Sequence, residues 1–231
     1  KCRFILNAVK AYDVPGTVDL MEKLVDSDSL IVMFQNGFGS LEHVVEKFRE
    51  TSVAGGVVFI GAERVSRSRV IHHGGETIYA GCKNRDCNGL DMLAEYFKKG
   101  GCDFRVVDNI DFYRWIKLGV NAVVNPLTAI YMARNKIVLT DHGLKIARLI
   151  VDEVVEAARR QGFELDSERL FKLVVRSVEN TAENYSSMAQ DVKAGRRTEI
   201  DYINGYVARI LGERSLNHYL TLLVHMIEEY S

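Results

Sequence analysis

Short apolar runs alternate with amphipathic stretches over the first half of the chain. A short apolar run between turn residues predicts a buried strand, and apolar positions three and four apart predict a helix. The predicted elements are a strand at 4–9, a helix at 17–25, a strand at 29–34, a helix at 41–49 and a strand at 53–62. This alternation is typical of a parallel sheet covered by helices, so we predict an α/β layer here.

The rest of the first half predicts further strands for that sheet. Two short runs, 68–72 and 77–80, are joined by His-Gly-Gly-Glu and predict an appended hairpin. A helix at 90–98 ends at a glycine pair, and a last strand follows at 104–107. The first predicted domain therefore covers residues 1–108.

From residue 109 onward the pattern is helical, which predicts a second domain over 109–231. The predicted helices are 111–125, 127–132, 144–161, 167–184, 199–211 and 216–230. The Asn125-Pro126 pair is expected to break or bend the first of these helices, because proline lacks a backbone donor. Thr198 is expected to cap the helix that follows it, and the polar stretch 191–197 reads as a loop.

Composition narrows the class of protein. The chain has 231 residues, 47% of them hydrophobic and 26% charged, with a net charge of −1. This charge gives no support to a nucleic-acid or membrane-surface partner, and no apolar run reaches the ~18 residues of a membrane span. The four cysteines are too few for a disulfide framework and have no second pair to complete a metal site. We therefore expect free thiols, no metal and a cytoplasmic location.

A stripe of polar side chains interrupts the apolar helix 111–125. Lys117, Asn121 and Asn125 recur every four residues, so they lie above one another on one helix face. Burying an ammonium and two amides costs free energy unless they find partners. The stripe therefore predicts either a ligand site or a snorkelling lysine with two asparagines bonded to neighbouring backbone.

Further polar groups occur at element boundaries. Lys10 and the Gln-Asn-Gly-Phe-Gly loop at 35–39 follow the first two predicted strands, and ligands of open parallel sheets lie at such carboxyl ends. The segment 184–191 and the Thr-Glu-Ile-Asp run containing Glu199 lie beside helix ends. Each of these could also be an ordinary turn, cap or dipole-compensating residue.

Taken together, these segments resemble one known family. The strings AVKAYDV, QNGFGS, KLGVNAVVNPLTAI and NYSSMAQDVKAGRRTEIDYINGYV occur in the order and roughly the spacing of the ketopantoate reductases (2-dehydropantoate 2-reductases). The resemblance implies an α/β Rossmann-type parallel sheet, with its N-terminal part incomplete in this chain. It also implies an all-α C-terminal domain like that of 6-phosphogluconate dehydrogenase.

The same resemblance implies an activity. It is the NADPH-dependent reduction of ketopantoate to pantoate in pantothenate and coenzyme A biosynthesis, with NADH as an alternative donor. The partner is then a small 2-keto acid, and the long apolar helices would also allow a homodimer.

The family's functional positions match residues of this chain. The resemblance implies catalytic roles for Lys117, as general acid, and Glu199. The matched substrate-binding positions are Asn36, Asn121, Asn125, Asn135, Asn184 and Ser187. The matched cofactor-binding positions are Lys10, Asn36, Ala62 and Glu199.

One departure from the family pattern keeps other interpretations open. The chain has no Gly-x-Gly-x-x-Gly turn to cradle a pyrophosphate and does not begin with Met, so we expect a segment upstream of Lys1. The alternatives are a related NAD(P)-dependent hydroxy-acid dehydrogenase and a non-catalytic helical dimerisation module with a degenerate cofactor half.

Overall fold

A computed structural model describes residues 1–230, apart from the side chain of Arg64. The chain divides into two compact units. The first contains Lys1–Gln35 and Ser40–Tyr113, and the second contains Asn36–Gly39 and the chain from Arg114 onward. A short loop after the second strand thus belongs to the helical unit, and the boundary falls inside a helix.

The first unit is built on a five-stranded sheet in the order β1-β2-β3-β4-β5. The pairs β1–β2, β2–β3 and β4–β5 are parallel, while β3 and β4 are antiparallel. The strands are β1 (Phe4–Asn7), β2 (Leu30–Met33), β3 (Ser52–Arg64), β4 (Val70–Cys82) and β5 (Asp103–Val106). The helices are a 3-10 helix (Ala11–Thr17), α1 (Val18–Leu24), α2 (Ser40–Lys47) and α3 (Leu90–Lys99). All four residues of β2 are buried, as expected for a strand covered on both faces.

The hairpin predicted between 68–72 and 77–80 is wrong. Val70–Cys82 form one continuous strand, β4, whose antiparallel partner is β3. Gly74 and Gly75 have φ values of 110° and 77° and lie at an irregularity of the β3–β4 register. Glycine adopts positive φ without strain, so the pair makes a bulge rather than a chain reversal.

The expectation of four free thiols is also wrong. Cys82 and Cys87 form a disulfide at the end of β4. Cys2 and Cys102 are free.

The second unit is helical around one hydrophobic core. Its elements are α4 (Ile110–Tyr131), a 3-10 helix (Asn135–Leu139), α5 (Asp141–Arg160), α6 (Ser167–Asn180), α7 (Ser187–Lys193), a 3-10 helix (Ile200–Tyr202), α8 (Asn204–Leu211) and α9 (Leu216–Tyr230). Trp115, Leu118, Ile150 and Val174 are among the fully buried core side chains. Residues 1–230 include no helix with the length and apolar character of a membrane span.

Two boundaries near the polar segments differ from the prediction. α7 extends to Lys193, so it covers the start of the predicted loop 191–197. Thr198 does not cap a long helix: its Oγ1 accepts a 3.3 Å hydrogen bond from the N–H of Ile200, and α8 begins only at Asn204.

The predicted break at Pro126 is wrong, because α4 runs without interruption from Ile110 to Tyr131. Pro126 has no N–H, so the carbonyl of Ala122 loses its usual helical donor. The side chain of Asn204 replaces that donor, with its Nδ2 2.9 Å from the Ala122 oxygen. Both Ala122 and Asn204 are fully buried, so this replacement avoids a buried unsatisfied carbonyl.

Asn204 also joins α8 to two further helices. Its Nδ2 lies 2.8 Å from Oδ1 of Asn217, and Nδ2 of Asn217 donates to Glu153 at 2.7 Å. Glu153 in turn accepts the backbone N–H groups of Leu216 and Asn217 at 2.7 and 3.0 Å. The carboxylate of α5 therefore caps the start of α9, where unpaired N–H groups need acceptors.

The loop Asn36–Gly39 is seated by contacts within the second unit. The N–H of Phe38 donates to the carbonyl of Tyr202 at 3.0 Å, and Arg114 donates to the carbonyl of Gly37 at 3.2 Å. The Phe38 ring packs between Trp115 and Tyr206, with centroid distances of 4.7 and 4.8 Å. Gly37 has a φ of 78°, and a Cβ there would lie 2.0 Å from the Tyr202 oxygen, so only glycine fits.

We expect the Asn204→Ala and Pro126→Ala substitutions to be strongly non-additive. Asn204→Ala alone leaves the Ala122 carbonyl buried without a donor and should cost about 2–3 kcal/mol. With alanine at position 126, a backbone N–H can reach that carbonyl, so the same Asn204 change should cost about 1 kcal/mol less. Urea unfolding of the four proteins of this double-mutant cycle measures the coupling. Additivity within ~0.5 kcal/mol would contradict the replacement.

We also expect Gly37→Ala to destabilise the protein more than Gly162→Ala does. Both glycines have a similar φ, 78° and 83°, but a Cβ at Gly162 meets nothing within 4 Å. Gly162→Ala therefore carries only the conformational strain, about 1–2 kcal/mol, whereas Gly37→Ala must also displace Tyr202. Urea unfolding compares the two variants, and equal losses of stability would show that the loop tolerates a side chain at position 37.

Candidate functional site

The polar stripe predicted from the sequence lies on the middle of α4. Lys117, Asn121 and Asn125 follow one another at one-turn intervals, and both asparagines are buried. Their neighbours Leu118 and Ala122 belong to the hydrophobic core. The helix therefore presents one ammonium and two amides from an otherwise apolar surface.

Three of the predicted residues are joined in a chain of hydrogen bonds. Nδ2 of Asn121 donates to Oδ1 of Asn36 at 3.2 Å, and Nδ2 of Asn36 donates to Oε2 of Glu199 at 3.1 Å. Asn36 is 85 residues from Asn121 and 163 residues from Glu199 in sequence, so only tertiary folding brings them together. The amide of Asn36 is thereby fixed in both orientation and position.

Glu199 is a buried carboxylate at a constrained position. It is only 6% exposed and directly precedes the 3-10 helix Ile200–Tyr202. Ile200 is fully buried and anchors that helix in the core. The N–H of Thr198 donates to Glu228 at 2.6 Å, so both neighbours of Glu199 are fixed. Burying a carboxylate without hydrogen-bond donors is costly, and Asn36 supplies one donor to Glu199.

Lys117 has a pKa that differs strongly from that of an exposed lysine. Its burial lowers the pKa of its ammonium from 10.5 to about 8, because desolvation disfavours the charged form. A pKa close to the working pH is what a general acid or base requires. Perturbed pKa values of this kind are concentrated at functional sites.

Asn135 and Asn184 lie together at the turn that follows α6. The N–H of Asn135 donates to the carbonyl of Asn184 at 2.9 Å. Nδ2 of Asn135 is bonded to the carbonyl and the hydroxyl of Thr181 at 3.1 and 3.0 Å. Asn184 lies outside α7, whereas Ser187 is its first residue, so the two side chains do not share a helix face. Ser187 is exposed.

Sequence reasoning missed the contact that positions this segment. Oγ of Ser186 accepts the N–H of Ala189 at 3.0 Å and lies 2.6 Å from Oγ1 of Thr128. Because Thr128 is on α4, one turn beyond Asn125, this pair fixes the start of α7 against the stripe helix. The Asn-Pro-Leu-Thr and Ser-Ser strings contain the residues of this contact. The sequence alone does not show which of the two serines is buried and bonded to Thr128.

The remaining predicted cofactor residues lie in the first unit. Lys10 follows β1 and directly precedes the 3-10 helix Ala11–Thr17. Ala62 is exposed on β3, opposite His72 of β4. Within the described residues, no cluster of three or more His, Cys, Asp or Glu side chains is arranged to hold a metal ion.

The chain is similar to known proteins over most of its length. A family model described as ketopantoate reductase PanE/ApbA C terminal matches residues 109–228, and the model described as ketopantoate reductase PanE/ApbA matches residues 1–85. The 2-dehydropantoate 2-reductase of Archaeoglobus fulgidus is 36% identical over 204 residues, which are 87% of this chain and 67% of that protein.

Solved structures share the fold as well. A ternary structure of D-mandelate dehydrogenase with NADH and anilino(oxo)acetate has a TM-score of 0.91 and 26% identity, covering 99% of this chain and 77% of that one. The 2-dehydropantoate 2-reductase of Geobacter metallireducens has a TM-score of 0.85 and 27% identity, with coverage of 99% and 77%. The expected α/β Rossmann-type unit followed by an all-α unit is confirmed, as is the resemblance on which it was based. The chain is a member of the ketopantoate reductase PanE/ApbA family.

Proposed function

We propose that this chain is an oxidoreductase that reduces 2-dehydropantoate (ketopantoate) to pantoate with NADPH, a step towards pantothenate and coenzyme A. The observation that carries the proposal is the hydrogen-bonded set Asn121, Asn36 and Glu199, next to a lysine whose pKa is lowered to about 8. Its relatives across most of the chain are named 2-dehydropantoate 2-reductase.

Reducing a 2-keto acid sets three requirements. A hydride must reach the carbonyl carbon, the developing alkoxide must be stabilised and protonated, and the substrate carboxylate must be held in place. The reduced nicotinamide, when bound, supplies the hydride. The side chains of this chain must meet the other requirements.

Lys117 suits the second requirement. Its ammonium stabilises negative charge on the carbonyl oxygen and can give that oxygen a proton. Burial strengthens the electrostatic effect because the local dielectric is low, and the pKa of about 8 makes proton release easier than from an exposed lysine. Glu199 fixes the position of Asn36 and can accept a hydrogen bond from a hydroxyl group of the substrate.

The amides and hydroxyls near the stripe suit the third requirement. Asn121 and Asn125 offer buried amides, and among residues 1–230 the side chain of Asn125 has no hydrogen-bond partner. Asn184 and Ser187 offer an amide and an exposed hydroxyl that can donate to a carboxylate. Asn135 binds Thr181 with its Nδ2, while its buried Oδ1 has no partner among the described residues.

The carboxyl ends of β1 and β2 are a candidate for part of a dinucleotide site. Gln35 ties the carboxyl ends of β1 and β2 together, because its Nε2 donates to the carbonyls of Asn7 and Val9 at 3.1 and 3.0 Å. Lys10 and Ala62 of the first unit, and Asn36 and Glu199 of the second, are each proposed as cofactor-binding residues. The 231 residues contain no Gly-x-Gly-x-x-Gly string for the pyrophosphate.

A related activity is the second candidate. D-mandelate dehydrogenase in complex with NADH has the same fold at a TM-score of 0.90, so reduction of another 2-keto acid, with NADH as donor, is the alternative. The buried polar set argues against a non-catalytic dimerisation module, since a scaffold gains nothing from burying Lys117 and Glu199.

Assembly and location stay predictions. The cytoplasm is the predicted location. For a homodimer, α9 would offer a face of exposed apolar side chains that includes Tyr219, Leu222 and Met226.

The function is tested by following the loss of reduced-nicotinamide absorbance with protein from the complete gene. We expect oxidation that depends on ketopantoate, faster with NADPH than with NADH, and a higher kcat/KM for ketopantoate than for benzoylformate, the aryl keto acid. Turnover restricted to the aryl substrate would favour the related dehydrogenase instead. No turnover with either substrate, from folded protein, would refute both.

We expect Lys117→Ala to lower kcat by at least roughly a hundredfold while leaving the fold intact, because it removes the general acid. The wild-type kcat should fall as the pH rises above about 8, where the ammonium loses its proton. Lys172→Ala is the matched control, because Lys172 is a lysine 74% exposed on α6. Steady-state kinetics between pH 6 and 10, with circular dichroism on each variant, measures both effects. A Lys117→Ala variant within tenfold of wild type would remove lysine from the mechanism.

A further inference from the structure

His225 on α9 is held between two carboxylates. Its Nδ1 lies 2.7 Å from Oε2 of Glu228, and its Nε2 lies 2.9 Å from Oδ1 of Asp201. A carboxylate accepts hydrogen bonds, so both ring nitrogens must carry hydrogen for both bonds to form. Only the protonated imidazolium meets that condition.

This cluster holds the backbone on both sides of Glu199. Asp201 belongs to the 3-10 helix that Glu199 precedes. The second oxygen of Glu228 accepts the N–H of Thr198 at 2.6 Å. His225 thus links Thr198, which it reaches through Glu228, with Asp201. These two residues lie on either side of Glu199 in the chain.

The segment Thr198–Tyr202 in turn holds the loop that carries Asn36. Glu199 accepts from the side chain of Asn36 at 3.1 Å, and the carbonyl of Tyr202 accepts from Phe38 at 3.0 Å. A shift of this segment would therefore move Asn36 relative to the stripe on α4.

The charges around the ring favour its protonated form. Asp201 and Glu228 face it directly, and Arg197 lies 3.4 Å from the second oxygen of Asp201. From α8, Arg209 donates to the backbone carbonyl of Asp201 at 3.1 Å, while Arg196, beside Arg197, is paired with Asp191 at 2.9 Å. Burial alone would lower the pKa of His225, but the hydrogen bonds to Asp201 and Glu228 outweigh it and raise that pKa.

We propose that His225 is a positioning residue: in its protonated form it holds the segment Thr198–Tyr202 so that Glu199 meets Asn36. The catalytic consequence rests on the function proposed above for Glu199, whereas the structural consequence does not. Because the folded protein binds this proton more tightly than the unfolded chain, the stabilisation is complete below pH ~6.5. It is lost as the pH rises through the raised pKa of His225.

Three variants separate charge from shape. His225→Gln keeps a polar side chain without charge, so it should behave at every pH like the deprotonated wild type. His225→Lys keeps a positive charge with three donors well above pH 9, so it should keep the segment in place. His218→Gln is the matched control on the same helix, since the His218 ring has no hydrogen bond within residues 1–230.

Trp115 reports on the loop without any substrate. It is the only tryptophan in the sequence, and its ring packs against Phe38 at 4.7 Å. In wild type and His218→Gln, the Trp115 emission should change with pH at the midpoint that NMR gives for the His225 ring. His225→Gln should show the high-pH emission throughout, and His225→Lys the low-pH emission. A His225→Gln protein with the wild-type pH response would overturn the proposal.

Activity provides the second readout. At pH 6, His225→Gln should lower kcat/KM for ketopantoate roughly tenfold, and the ratio to wild type should approach one above the midpoint that NMR gives for the His225 ring. His225→Lys should retain wild-type kcat/KM at pH 6, and the decline due to Lys117 should remain in all variants. If the fluorescence behaves as expected while the wild type does not reduce ketopantoate, the positioning role stands and the proposed function fails. An equal loss of activity below and above that midpoint would overturn the role of the protonated ring.

Discussion

The carbonyl of Ala122 is the point on which the packing of the helical unit depends. Pro126 removes its helical donor, and Asn204 supplies another from α8. Asn204 then engages Asn217 of α9, which engages Glu153 of α5. One missing N–H in α4 is therefore compensated by a polar chain through three other helices. Since Ala122, Asn204 and Asn217 are fully buried, the bonds among them cannot be exchanged for water at low cost.

Hydrogen bonding of buried polar groups also shapes the candidate site. Asn36 satisfies both Asn121 and Glu199, and it can do so because Gly37 lets the loop approach Tyr202. The side chain of Asn36 thus joins the stripe helix to Glu199, which directly precedes the 3-10 helix Ile200–Tyr202. A rigid arrangement of this kind is what catalysis of alkoxide formation needs, because the donors must already be oriented when charge develops.

For Lys117, burial changes the pKa of the side chain. Desolvation lowers its pKa to about 8, which brings the group closer to the pH range in which general acids and bases work. His225 shows the opposite case: two carboxylates raise its pKa despite burial. The pKa shifts of the two groups thus have opposite directions and different physical causes.

The sequence by itself determined what depends on local periodicity. The helix predicted at 216–230 agrees with α9, Leu216–Tyr230, and the polar stripe on α4 follows directly from four-residue spacing. The order of motifs also indicated the family, because those strings combine unusual residues at fixed intervals. Such patterns are carried by residues close in sequence, so no knowledge of the folded chain is needed.

Only the tertiary structure decided which distant groups meet. Pro126 lies inside a continuous helix because Asn204, 78 positions later, replaces its missing donor, and the Gly74-Gly75 pair forms a bulge because β3 pairs alongside it. The sequence singled out Asn36 and Glu199 separately, but their bond spans 163 residues. Local patterns limit each segment to a few conformations, whereas hydrogen bonds between distant segments select one of them, since a buried polar group without a partner is costly.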